Sequence, residues 1–424
     1  MTLATQALTV LAEIDPAQRP ALEDRLRAIA ADLDGNLVFR PGDLPATHFT
    51  RFVIITDEPR GELPVLLAWE VNHDGDAAEY LAQVARKVPS IDRVLEHCRD
   101  YPAAGTADVE GWVKWMLARS ERAAAFYTGY RGVPRSQVVN DGAVHDAIRD
   151  IVDRDRMELA RYPATEIQRR IAEELRTRRP DLDISAEDDP SWALQWIVGI
   201  AGALLVLPVL LVILGPWLLE LRRHEETEPT RTYDRPVHDD RLMHIAEDRV
   251  TQNQLTHLVD IKPGRFRLFT VWAVLSIIDA LARVYFVDGA LGGITSIHFA
   301  RWVILRDHRP VPRAQKRHRL LFFSNYDGSW ESYLGEFIDR ASSGLTAVWS
   351  NTVDFPRSRY LLGAGARDEE AFKQWTRDHQ IASQVWWTGV PESTVQNVRD
   401  DVWIRRRLQR PLPDDEAMQW LETL

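Results

Sequence analysis

The sequence predicts an α+β protein in which two related domains, produced by an internal duplication, are joined by a membrane-embedded helical region. Two observations predict the related domains. The same order of strands and helices occurs in both halves of the chain, and individual residues recur in matching places. A third observation predicts the membrane region, because the segment between the halves contains two long apolar stretches.

The first domain is expected to occupy residues 1–153. Apolar residues at helical spacing in ALEDRLRAIAADL predict a helix in the lead-in segment. Two strands are expected next, HFTRFVII and PVLLAWEV, followed by a turn, two helices and a short strand, AAFYTGY. This order predicts a small sheet with helices on one face.

The second domain is expected to occupy residues 291–424, where the same order returns. The chain distance between matched residues drifts only from 250 to 260, as changes in loop length would produce. Several matches in one order predict a duplicated domain. The principal matched pairs are His48 and His298, Asn72 and Asn325, Asp74 and Asp327, Trp115 and Trp375, and Tyr127 and Trp387.

Two apolar stretches predict the membrane region. The first, Trp192 to Leu219, carries no charged residue and would cover more than the ~30 Å hydrocarbon core as a helix. Pro208 lies inside it and would break that helix. The second, residues 266–288, contains Asp279 and Arg283, which can neutralise each other four residues apart on a helix.

The whole membrane-associated region is predicted at residues 191–290, with a polar, helix-like connector at 220–265. A charged helix and an acidic linker, 154–190, precede it. A single crossing would place the two related domains on opposite sides, where they could not pair. We therefore expect a helical hairpin that enters one leaflet with both domains facing the cytoplasm, and two full crossings are the alternative. No signal peptide is expected, since the N-terminal segment has no basic region.

The strands that begin at His48 and His298, with the helices that follow them, carry a resemblance to a known superfamily. In element order and duplication the chain resembles the ferredoxin-like, dimeric α+β-barrel superfamily, which includes haem-dependent peroxidases and chlorite-dismutase relatives. The resemblance implies two ferredoxin-like α/β sandwich domains with paired sheets, and redox chemistry with bound haem. In that reading His257 or His298 is the haem ligand, and Arg265 or Arg301 is the polar assistant.

Other residues suggest binding without catalysis. Lys262, Arg265 and Arg267 stand at the start of the second apolar stretch or just before it and suit lipid phosphates, although they could equally be the positive flank of an apolar helix. The repetition of His298 as His48 also fits a structural role. Asp74 and Asp327 stand where an aspartate commonly caps the following helix.

Composition excludes several classes of function. A net charge of −11 argues against a general nucleic-acid binder. The single cysteine excludes an intramolecular disulfide and a cysteine-based metal cage, and no metal-ligand motif is present, so no metal site is expected. The sequence therefore predicts a membrane-associated protein that binds a lipid or other hydrophobic small molecule between its two domains, with haem-dependent oxidation as the form catalysis would take. The alternative is a non-enzymatic membrane scaffold or partner-binding protein. Whether the chain forms a homo-oligomer is left open.

Overall fold

Both halves of the chain fold in the same order: strand, helix, strand, strand, helices, strand, helices. The computed structural model of the protein describes residues 5–58, 60–185, 214–229, 231, 251–284 and 291–424. The first half contains β1 (Thr5–Glu13), α1 (Arg19–Ala31), β2 (Thr47–Ile55), β3 (Leu66–Asp74), α2 (Ala77–Lys87), α3 (Asp92–Leu95), α4 (Val109–Ala118), β4 (Ala125–Thr128), α5 (Arg135–Leu159) and α6 (Ala164–Arg178). Helix α7 (214–227) follows. The second half contains β5 (Gln252–Asp260), α8 (Arg265–Val284), β6 (Ile297–Leu305), β7 (Arg319–Asp327), α9 (Trp330–Trp349), β8 (Ser358–Arg359), β9 (Gly363–Ala364), α10 (Glu369–His379), β10 (Val385–Thr388), α11 (Val395–Arg407) and α12 (Asp414–Glu422).

The strands form two four-stranded antiparallel sheets, and each sheet contains one strand from the opposite half. The first sheet has the order β1-β3-β2-β10, and the second has the order β4-β6-β7-β5. Strand β10 pairs with β2 so that Trp386 lies opposite Arg51. Strand β4 pairs with β6 so that Phe126 lies opposite Arg301. Each half of the chain therefore completes the sheet of the other half.

The two sheets face each other, and the helices cover their outer faces. Alternation along β2 points Phe52 outward, where it joins a core built with α1, α2 and α4. Val53 points inward and packs with Val303 and Phe323 of the second sheet. The outer face of the second sheet is covered by α8, α9 and α10. This layering buries both faces of each sheet.

Hydrogen bonds beyond the ladders join the sheets along both edges. The Leu11 N–H at the edge of the first sheet donates to the Arg119 carbonyl at 2.9 Å, in the segment that leads to β4. The Ile381 N–H, in the segment that leads to β10, donates to the Thr256 carbonyl at 2.9 Å. The eight strands of the two sheets therefore form a closed barrel, in which the outer edge of each sheet is hydrogen-bonded at these positions.

A separate helical layer is formed by α5, α6, α11 and α12, which follow β4 and β10 in their respective halves. Arg405 on α11 lies 2.7 Å from Asp141 on α5, and both side chains are buried. His145 on α5 lies 2.6 Å from Asp401 on α11. This layer thus joins the halves a second time, through polar side-chain pairs rather than through strands.

The prediction of a membrane-embedded helical region is wrong, because no helix among the described residues is long and apolar enough to cross a membrane. Residues 192–213 of the first apolar stretch lie outside the described residues, and its last residues begin α7. The second stretch is α8. Its Val271 and Leu275 are fully buried in the core of the second sheet. Helix α8 holds in the second half the place that α1 holds in the first, which is why one of its faces is apolar.

Two strands of the structure were not predicted from the sequence. Strand β1 lies in the segment expected to be a lead-in, and β5 lies in the connector expected to be helical. Strand β5 is rich in polar residues, yet Gln252, Asn253 and Thr256 are all buried. A buried polar strand needs polar partners, and the opposite sheet supplies one of them through a buried arginine.

That arginine, Arg51 on β2, and its counterpart Arg301 on β6 each reach from one sheet into the other. Both side chains are fully buried. Four acceptors of Arg51 on the second sheet are Leu255 O (3.1 Å), Thr256 Oγ1 (3.1 Å), Ser324 O (3.0 Å) and Asn325 Oδ1, and Gln254 Oε1 (3.0 Å) is a fifth without a counterpart in the other set. The acceptors of Arg301 on the first sheet are Leu8 O (2.7 Å), Thr9 Oγ1 (3.1 Å), Val71 O (2.8 Å) and Asn72 Oδ1. The two sets are equivalent positions of the repeat.

One carboxylate lies between the two guanidinium groups. Glu70 Oε2 accepts a hydrogen bond from Arg51 Nε at 2.9 Å, and Glu70 Oε1 lies 2.8 Å from Arg301 Nη2. The equivalent position in the second half is Phe323, whose ring lies 5.2 Å from the Arg51 guanidinium carbon. Burial lowers the pKa of Arg51 and lowers that of Arg301 to about 10. A buried cation is costly without a partner, so Glu70 is required by both.

We expect Glu70→Gln to lower the free energy of unfolding by about 3 kcal/mol, because it leaves two buried guanidinium groups without a carboxylate. Urea denaturation measures this loss. Glu58→Gln is the matched control, since Glu58 is exposed and its ion pair with Arg19 lies at the surface, where such pairs contribute about 0–1 kcal/mol. A Glu70→Gln loss no larger than that of the control would contradict the assigned role.

Candidate functional site

The predicted site residue His298 lies at one end of the barrel together with its repeat counterpart His48. Both imidazoles are fully buried. His298 Nε2 lies 2.7 Å from Asp327 Oδ1, and His48 Nε2 lies 2.9 Å from Asp74 Oδ1. The structure thus contains two equivalent histidine–aspartate pairs, one at the start of β2 and one at the start of β6.

These aspartates fix helices that are distant in sequence. The other carboxylate oxygens of Asp74 and Asp327 accept the first backbone N–H of α5 and of α11, at 2.7 Å in each case. The expectation that they cap the helices directly following them is wrong. Those caps are Asp76 for α2 and Ser329 for α9. The histidine–aspartate pairs therefore connect the barrel to the helical layer.

Tyr130 closes this end of the barrel and breaks its symmetry. Its hydroxyl lies 3.3 Å from His298 Nδ1, and its ring packs against both histidines and Phe299. Burial, with the nearby charges of Asp327 and Asp74, raises the pKa of Tyr130. In the alignment of the halves, residues 130–132 have no counterpart in the second half.

His257, the other predicted ligand, lies on the outer face of β5. Its ring centroid is 4.6 Å from that of Trp375, 4.9 Å from that of Trp349 and 5.7 Å from that of His379. Neither ring nitrogen has a hydrogen-bond partner among the described residues. Burial and the nearby His379 lower the pKa of His257 well below 6.5. The site is an aromatic enclosure for a neutral imidazole.

The histidines do not fit the haem that the resemblance implies. An axial ligand needs a free ring nitrogen and open space for the macrocycle. Both nitrogens of His298 are engaged, and the ring of His257 is enclosed by three other rings. In the described part of the chain no group of three or more histidine, cysteine, aspartate or glutamate residues could hold a metal ion.

The two predicted assistants lie in different places. Arg301 is inside the barrel with its guanidinium engaged by the first sheet, whereas His257 points to the outer face of the second sheet. Arg265 is exposed at the start of α8. The structure therefore does not gather the four predicted catalytic residues into one site.

Two of the three cations predicted to contact lipid phosphates bind an internal carboxylate. Glu228, just after α7, lies 2.6 Å from Arg267 Nη2 and 3.2 Å from Lys262 Nζ. Burial by itself would raise the pKa of Glu228. The nearby Arg267 and Lys262 outweigh this effect, so the pKa is lowered. Arg267 is fully buried. Only Arg265 of the predicted set faces solvent, so the headgroup assignment stays a prediction.

Exposed apolar side chains concentrate on one surface, which we name the α7–α8 face. Of the thirteen large apolar side chains that are exposed in the described part of the chain, eight lie there. Isolated exposed apolar residues are normal, whereas a cluster marks an interaction site. The eight are Leu214, Leu219, Phe269, Trp272, Ile277, Leu281, Tyr360 and Leu362.

Specific contacts hold the three segments of the α7–α8 face together. Trp217 of α7 donates through Nε1 to Thr270 Oγ1 of α8 at 3.3 Å. Buried Glu225 of α7 accepts the Tyr360 N–H at 2.8 Å, which attaches the β8–β9 hairpin. The sequence contained a signal for this surface: α8 carries apolar residues on more than one side, and only one side can face the sheet.

The enclosure of His257 gives a prediction about pH. A histidine in the unfolded chain titrates near ~6.5, while buried His257 stays neutral, so the unfolded state binds the extra proton. The free energy of unfolding should therefore fall as pH drops below ~6.5, by up to ~1.4 kcal/mol per pH unit from this residue. His257→Phe should remove that contribution, as measured by urea denaturation at several pH values.

The exposed His308 supplies the control for this measurement. His308→Phe should keep the pH dependence of the unmodified protein. Equal pH dependence in His257→Phe and the unmodified protein would contradict the assignment of a neutral, enclosed imidazole.

Comparison with known proteins adds no relative: no protein-family model, no curated protein and no solved structure matches this chain.

Proposed function

We propose that this protein associates with a lipid surface through the α7–α8 face and is not an enzyme in the sense that the resemblance implies. The observation that carries the proposal is the concentration of exposed aromatic and aliphatic side chains on α8 and its neighbours. The proposed attachment is to one surface of a bilayer, where the apolar side of a helix lies in the interface.

The side chains of α8 divide into two sets that suit this role. Val271 and Leu275 are buried against the second sheet. Phe269, Trp272 and Ile277 point away from it, and each has about half of its surface exposed. Aromatic and branched side chains on one side of a helix are typical of helices that lie in the membrane interface. Burying them in lipid would recover apolar area that the fold leaves exposed.

Charge supports an anionic lipid surface in particular. The chain as a whole carries a net charge of −11, which would repel such a surface. The α7–α8 face is nevertheless flanked by exposed cations: Arg265 at the start of α8, and Arg357 and Arg359 beside the β8–β9 hairpin. Each cation close to an anionic membrane contributes about 1 kcal/mol. A basic rim around an apolar centre would therefore orient the protein.

The barrel would be held at the lipid surface as a rigid unit. Helix α8 is part of the core of the second sheet, so its exposed side has a fixed orientation relative to the barrel. A partner protein or a second copy of the chain could cover the same apolar area. The basic rim favours lipid, and the experiment below distinguishes these occupants.

We expect Trp272→Gln combined with Ile277→Gln to weaken binding to vesicles of phosphatidylcholine and phosphatidylserine by roughly 30-fold. The estimate assumes about 1 kcal/mol lost for each half-exposed side chain. Co-sedimentation measures the partition coefficient. Pure phosphatidylcholine vesicles should bind the unmodified protein more weakly, because they lack the anionic charge.

The control is Val139→Gln combined with Met157→Gln, two equally apolar and exposed residues on α5. This control should bind vesicles like the unmodified protein. If the α8 variant binds vesicles normally, or if it instead dissociates an oligomer detected by light scattering, the α7–α8 face does not bind lipid and the proposal fails.

A further inference from the structure

The opposite end of the barrel from Tyr130 contains an open cleft. Its volume is about 740 Å³, within the ~300–1,000 Å³ range of small-molecule sites. The β2–β3 loop of the first half forms one wall, the β6–β7 loop of the second half forms another, and the end of α7 and the end of β5 complete it. Both halves and the connecting helix must be in place for this cleft to exist.

Ion pairs within the second half, and an ion pair from Arg317 to the first half, fix the shape of the cleft. Arg317 Nη2 lies 2.9 Å from Asp57 Oδ1 of the first half and 2.8 Å from Asp260 Oδ2 of the second. Arg309 Nη2 lies 2.7 Å from Asp307 Oδ2. Arg317 and Asp57 are mostly buried. These groups are already satisfied, so their role is to hold the two loops in one geometry.

Other cations of the cleft keep unused donors. The lining contains five cations and four carboxylates, and the carboxylates Glu228 and Asp260 are bound by cations. Arg60 makes one 3.3 Å contact with Asp260, although its guanidinium carries five donors. Lys316 Nζ donates to the Asp307 carbonyl at 3.2 Å and has two further donors without a partner among the described residues. The cleft can therefore donate several charged hydrogen bonds to a ligand.

The two loops also differ in charge, although they are equivalent elements of the repeat. Residues 306–318 contain five lysines and arginines and one aspartate, whereas residues 56–65 contain one arginine and three acids. Arg306 and Arg313 of the basic loop are exposed. The duplication alone would make the loops alike, so the basic loop is a specific feature of the second half.

We infer that this cleft binds a small molecule that carries phosphate groups. Several cations that converge from different segments suit a compact, multiply charged anion better than a single carboxylate. The phosphate could belong to a soluble metabolite or to the headgroup of a lipid. This inference concerns the cleft alone and does not depend on the lipid-binding role of the α7–α8 face.

Isothermal titration calorimetry of the full chain with inorganic pyrophosphate tests the inference. We expect saturable binding, weakened at least about ten-fold by Arg60→Gln combined with Lys316→Gln, since two charged donors are lost. Arg93→Gln combined with Lys114→Gln removes two exposed cations outside the cleft and should leave the affinity unchanged. Thermal melting checks that both variants remain folded.

A short-chain soluble phosphatidate, titrated in parallel, distinguishes the two sources of phosphate. Binding of pyrophosphate supports a soluble ligand, and binding of phosphatidate alone supports a headgroup. The inference is overturned if neither binds, if succinate binds as tightly as pyrophosphate, or if the cleft variant binds like its control. The variant that combines Trp272→Gln and Ile277→Gln should bind pyrophosphate normally. Loss of vesicle binding through the α7–α8 face can therefore be distinguished from loss of phosphate binding in the cleft.

Discussion

The fold depends on two buried arginines that cross between the sheets and share one glutamate. Arg51 and Arg301 occupy the same position of the repeat, and each donates to two backbone carbonyls of the opposite sheet. These hydrogen bonds can form only when both sheets are assembled. A buried guanidinium without such acceptors would be strongly destabilising. The arginines therefore link the folding of each half to the presence of the other.

Strand exchange imposes the same requirement through the backbone. Strand β4 of the first half completes the sheet of the second half, and strand β10 of the second half completes the sheet of the first half. The helical layer of α5, α6, α11 and α12 joins the halves again, and it is attached to the barrel by the Asp74 and Asp327 carboxylates. The halves thus form a single unit in which neither four-stranded sheet is built from one half alone.

On this symmetric frame, the two ends of the barrel have diverged. One end is closed by Tyr130, which lies in a segment present only in the first half, and by rings from both halves. The other end is an open, charged cleft between one acidic and one basic loop. In a duplicated fold, packing constrains the core positions of both copies. Function therefore arises in equivalent loops that have diverged between the copies.

The sequence predicted those features that the duplication repeats visibly. The matched strands from His48 and His298 were identified because both copies show the same alternation. Strands β1 and β5 were not, because the burial of polar residues such as Thr256 follows from a long-range partner, Arg51, that no local pattern reveals. The pairing of Lys262 and Arg267 with Glu228 could not be predicted either, because these residues are distant in sequence. The same holds for the contacts of both His298 nitrogens. The prediction for α8 was wrong because apolar residues on more than one side of a helix suit both a membrane and a sheet, and one side of α8 contacts the sheet.

Native-state hydrogen exchange, read by mass spectrometry under increasing urea, tests most directly whether the halves form one cooperative unit. The amides of β4 and β10 should exchange only through the same opening, at the global free energy of unfolding, as those of β2 and β6. If the strands of one half exchange through a lower-energy opening while those of the other half remain protected, the crossed arginines and exchanged strands do not couple the halves, and the account is contradicted.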